Sequence, residues 1–62
     1  MMETEFVDNV LSRLIELPDH IQVESLRNAK ILMDNWAEIS ESLTSRAIEH
    51  EYYELCAILR DI

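Results

Sequence analysis

The chain has no glycine anywhere in its 62 residues. That single absence limits the folds open to it more than any motif does. Tight β-hairpins need residues at positive φ, and glycine or asparagine normally supplies them. With proline present only at Pro18, the composition points to helices joined by short connections. A hydrophobic content of 48% beside 29% charged residues argues against disorder. The length allows one small domain. Below roughly 70–80 residues a single core supplies only about 3–5 kcal/mol, so such chains usually add disulfides, a metal or a partner surface. Cys56 is the lone cysteine and cannot form an internal disulfide. It reads as a small, reduced core residue, without the CxxC or Cys/His spacing of a zinc site.

The apolar pattern predicts an all-α fold of three helices: a short N-terminal helix followed by an antiparallel helical hairpin. The first helix spans residues 3–17, where Phe6, Val7, Val10, Leu11, Leu14 and Ile15 repeat with amphipathic helical spacing. Glu3 and Glu5 favour its dipole, and Pro18 ends it by pushing Leu17 out of the α region. Pro18 or Asp19 then opens the next element. Ile21 and Val23 alternate with polar residues for a few positions, and from about Ser25 the helical period of a long helix is clear, because Leu26, Ala29, Met33, Trp36, Ser40, Leu43 and Ala47 alternate by three and four residues. That is a heptad seam interrupted only by Ser40. A connection around Glu49-His50-Glu51 leads to a last helix over residues 52–62, with Tyr52, Leu55, Leu59 and Ile62 on one face. Residues 1–62 are thus expected to form one domain, with the N-terminal helix in 1–17 and the hairpin in 18–62.

Thirteen acidic residues against five basic ones give a net charge of −8. Such a chain is repelled by phosphate backbones and anionic membranes, so direct nucleic-acid or membrane binding is disfavoured and a basic protein partner is permitted. No window approaches the roughly 18 apolar residues of a membrane span. The acidic N-terminus lacks the basic region of a signal peptide, which makes the cytoplasm the expected location.

Signals for chemistry are sparse. His20 and His50 lie in separate connections with no His or Cys three or four residues away, so both read as solvated turn residues rather than metal ligands. The serines lack flanking glycines, and no phosphate-cradling loop exists without glycine. No catalytic residue, cofactor or metal is expected. Trp36 lies on the seam, as a core anchor or as a hot spot for a partner. Met33 and Cys56 fill gaps in the packing.

The C-terminal stretch carries a more specific pattern: Ala47-Ile48, the turn Glu49-His50-Glu51, the pair Tyr53-Glu54, the small pair Cys56-Ala57, and Leu59-Arg60-Asp61. Over residues 36–62 this resembles the UvrB/UvrC (UVR) motif, a helical hairpin. Tyr52 stands where the family usually has aspartate or another polar residue, and Cys56 where alanine is usual. The resemblance implies a docking hairpin that joins protein subunits, with none of the helicase or nuclease domains found elsewhere in that family. The small side chains of Cys56 and Ala57 permit close helix approach, Tyr53 is placed to cover the turn, and Leu59 to fill the seam. Arg60 and Asp61, adjacent on a helix, are expected to reach towards other helices or chains rather than each other.

The expectation is therefore a non-enzymatic protein–protein interaction module, binding another protein or itself as a homodimer. Its contact residues would be Trp36, Tyr53, Glu54, Cys56, Leu59, Arg60 and Asp61. The rival expectation is a small acidic inhibitor or antitoxin-like protein that covers a basic, nucleic-acid-binding surface.

Overall fold

A computed structural model describes residues 2–62, with side chains from residue 4 onward. The described residues form four helices: α1 (Met2–Leu14), α2 (Asp19–Leu32), α3 (Trp36–Glu49) and α4 (Tyr53–Asp61). The fold is all-α, but the expected count of three helices is wrong. The long seam helix is two helices, and the hairpin's first arm is α3 alone. The chain leaves the helix at Met33, which is extended at φ −102° and ψ 124°. Asp34 and Asn35 then form a turn before α3. Aspartate and asparagine side chains compete with the helical backbone for hydrogen bonds, so two in succession favour a break. The three-and-four spacing continues in phase across Met33 and Trp36, which is why the pattern alone conceals it.

Helix α1 ends at Leu14, three residues before the expected end, and unwinds through Ile15 and Glu16. The side chain of Glu3, expected to favour its dipole, lies outside the described side chains. Pro18 (φ −58°, ψ 152°) takes the N-cap position of α2, and its carbonyl accepts the amides of Ile21 and Gln22, each at 3.0 Å. The missing N–H of proline costs nothing at a helix start. Helix α2 thus begins at Asp19, one of the two entry residues the sequence offers. Gln22 turns inward to 7% exposure, and its Nε2 donates to the Leu17 carbonyl at 3.0 Å. That bond satisfies a carbonyl in the bend between α1 and α2.

Helix α3 packs against both α1 and α4, while α2 packs against α4. The core takes Val7, Leu11 and Leu14 from α1, Leu26 from α2, Leu43 and Ala47 from α3, and Leu55 and Leu59 from α4. Each leucine so buried contributes about 1.5–3 kcal/mol. Ala47 has 0% exposure. On a helix covered on two sides, a methyl group leaves room for the neighbours to approach. Cys56 Sγ comes within 4.0 Å of the Thr44 carbonyl, and both Cys56 and Ala57 are half-buried.

The turn between α3 and α4 solves a problem posed by the missing glycine. The Tyr52 amide donates to the Ala47 carbonyl at 2.8 Å, and the Glu51 amide to the Ile48 carbonyl at 3.0 Å. This pair of bonds is a Schellman motif, which requires a left-handed residue between them, usually glycine. Here that residue is Glu51, at φ 64°. Left-handed backbone costs a residue with a Cβ roughly 1–2 kcal/mol, of which the greater unfolded-state freedom of glycine returns about 0.5–1. Glu51→Gly is therefore expected to stabilise the fold by about 0.5–1 kcal/mol, raising Tm by roughly 2–8 °C in a domain this small. Thermal unfolding followed by circular dichroism measures it.

A candidate interaction surface at the hairpin turn

A charged cluster fixes the end of α3 against α1. Arg46 grips Asp8 with two parallel bonds, Nε to Oδ1 and Nη2 to Oδ2, each 2.9 Å. Such fork-to-fork pairing sets orientation as well as attraction. Arg46 Nη1 also bonds Glu49, and His50 Nε2 lies 3.4 Å from Asp8 Oδ1. His50 is the exposed turn residue expected, and it also contacts this cluster. Its ring stacks on Tyr52, with centroids 5.2 Å apart and planes at 17°. The Arg46 guanidinium holds the Asp8 carboxyl below its ordinary 3.8, against partial burial, with His50 adding to the effect. The same contact with Asp8 raises the Arg46 pKa.

Beyond this cluster, the bend after α1 and the turn before α4 meet around one open cleft of about 460 Å³. Ile15 and Leu17 reach it from the first bend and Tyr53 from the second, all three exposed. Tyr53 stands 63% exposed. Asp19, Glu51 and Glu54 also line the cleft, and no Lys, Arg or His does. Among the described residues none of these three carboxylates takes part in an ion pair. Gln22, Tyr52 and Leu55 complete the lining.

The residues expected to make contacts are not all together. Tyr53 and Glu54 lie at the cleft. Tyr53 does not cover the turn, however; its neighbour Tyr52 does, half-buried, stacked on His50 and with its amide bonded to the Ala47 carbonyl. Leu59 is buried in the core, and Trp36 and Cys56 are half-buried against it. Arg60 and Asp61 are exposed, and Arg60 Nε contacts Asp61 Oδ1 at 3.5 Å, so the two do face each other, weakly. Sequence reasoning missed Ile15, Leu17, Asp19 and Gln22 as neighbours of the hairpin turn. The apolar period placed Ile15 on a buried face, and no local signal shows that α1 ends before it. A second apolar surface lies at the end of α2, where Ile31 and Leu32 are 75% and 81% exposed.

Among the described residues no His, Cys, Asp and Glu side chains group so as to hold a metal ion, and no helix is long and apolar enough to cross a membrane. Comparison with known protein families, curated proteins and solved structures finds no match to this chain.

The depressed pKa of Asp8 makes the cluster acid-sensitive. A carboxyl whose folded pKa lies below its unfolded value stabilises the fold above the unfolded value, and that contribution disappears as pH falls through the folded one. Stability is thus expected to drop as pH is lowered from about 5 through and below the ordinary carboxylate range. Asp8→Asn should be less stable at neutral pH and lose part of this slope, as urea unfolding at a series of pH values will read out.

Proposed function

We propose that the chain is a non-enzymatic protein–protein interaction module, akin to the UVR docking hairpin it resembles, with its contact surface at the turn end of α3 and α4. The observation that carries this reading is the gathering of exposed Ile15, Leu17 and Tyr53 around one cleft. Contiguous exposed apolar side chains mark contact sites where scattered ones do not, and tyrosine is enriched at binding hot spots. In favour of the family likeness, α3 and α4 pack together over Trp36–Asp61, with Cys56 and Ala57 partly buried where the motif has its small pair. Leu59, Cys56 and Trp36 then serve the module by holding the hairpin. Tyr53 and Glu54 touch the partner, with Arg60 and Asp61 exposed on the same helix. The lone thiol of Cys56 suits a reducing compartment such as the cytoplasm.

Self-association is a second form of this reading, favoured by the exposure of Ile31 and Leu32. A homodimer would cover that end of α2. The acidic-inhibitor reading differs in what it requires: net charge rather than Tyr53, with binding that weakens steeply as salt rises.

Affinity capture with the wild type beside Tyr53→Ala tests the proposal. A partner held by the wild type and lost by the variant, at unchanged helicity, is the expected result. Equal capture by the variant, abolished by moderate salt, would favour the acidic inhibitor. Sedimentation at micromolar concentration addresses the dimer: Leu32→Glu should turn a dimer into a folded monomer, and a wild type already monomeric contradicts self-association.

A further inference from the structure

The cleft specifies what kind of partner it suits. Its exposed rim is apolar at Ile15, Leu17 and Tyr53 and carries carboxylates at Asp19, Glu51 and Glu54, with no lining cation. The chain's cations are engaged elsewhere in three of five cases: Arg46 with Asp8, Lys30 with the Ile62 carbonyl, and Arg60 with Asp61. The three cleft carboxylates are exposed, and none is in an ion pair among the described residues. Gln22 adds a directional feature. It is buried, its Nε2 is committed to Leu17, and its Oε1 accepts no hydrogen bond among the described residues. No fully enclosed side-chain polar atom of the described residues lacks a partner, so that oxygen is not completely enclosed, on a residue that lines the cleft. An amide oxygen in that position accepts from a donor such as an ammonium, guanidinium or peptide N–H.

We propose that the cleft binds a short basic segment of a partner protein, seating one apolar side chain against Ile15, Leu17 and Tyr53, with Lys or Arg facing Asp19, Glu51 and Glu54. This rests on the protein-binding reading above and adds the partner's chemistry to it. A second copy of this chain is a poor occupant, since two surfaces from chains of net charge −8 would meet with like charges. A nucleic-acid backbone is excluded on the same ground. Charge pairing at the rim sets the encounter rate and the register, and the apolar contact slows release.

Selection of a random twelve-residue peptide library against the immobilised protein supplies the probe. The enriched peptides should be basic with an apolar residue among the cations. Tyr53→Ala should weaken them at least about tenfold, as loss of a hot-spot tyrosine does. The charge-neutralised pair Glu51→Gln with Glu54→Gln should weaken them by a similar factor. The matched pair Glu38→Gln with Glu41→Gln, equal in net charge but on exposed α3 positions, should change binding less than about twofold, because exposed charges at a distance are screened. Three results overturn the proposal: enriched peptides that are neutral or acidic, equal loss from both glutamine pairs, or basic peptides indifferent to Tyr53→Ala. Should these occur while a captured protein partner still depends on Tyr53, the interaction reading stands and only the partner's chemistry is wrong. If the captured partner is indifferent to Tyr53 as well, both fail.

Discussion

The left-handed backbone at Glu51 is the constraint on which the rest of the structure depends. A helix can turn back tightly on itself only if its last carbonyls find donors, and the two-bond cap over Ala47 and Ile48 does this through one residue at positive φ. A chain without glycine must place an ordinary residue there. The strain at Glu51 is held by what surrounds it. Tyr52 is fixed by its bond to Ala47 and by stacking on His50, and His50 reaches the Asp8–Arg46 pair that binds α1 to α3. Backbone strain persists where its surroundings over-determine it.

Once the hairpin is set, α3 has neighbours on two sides, and the core follows. Ala47 is small where both sides crowd, and leucines fill the space around it. The packing uses Leu59, and partly Trp36 and Cys56. What remains outside is uneven. Helix α2 buries little beyond Gln22 and Leu26 and leaves Ile31 and Leu32 bare. The two bends place Ile15, Leu17 and Tyr53 around a cleft that the chain does not fill. A domain of this size has little core to spare, and these apolar side chains add little to it.

The sequence made the helical class legible through composition, because the absence of glycine bears on every turn at once. It also made the packing role of Leu55 and Leu59 legible through spacing. It hid the break at Met33, because three residues of connection nearly match one helical turn and the seam resumes in phase. The telling sign was chemical rather than periodic: Asp34 next to Asn35. It also hid which of two adjacent tyrosines covers the turn. Tyr52 and Tyr53 differ by one position, and the left-handed residue decides which side of the hairpin each takes. The Asp8–Arg46 pair joins positions far apart in the chain, and no local pattern marks it. The cleft was illegible for the same reason, since two bends distant in sequence build it together.

One strained turn and one open surface are joined in this fold. If the Glu51 turn is loose, Tyr53 has no fixed place and the cleft has no shape. Native-state hydrogen exchange at the Tyr52 amide is the most direct test, since that amide makes the 2.8 Å bond to Ala47 that closes the turn. Protection close to that of the core amides of α3, lost only with global unfolding, is the expected result. Exchange at the rate of an unstructured loop, in a protein whose α3 remains protected, would contradict it.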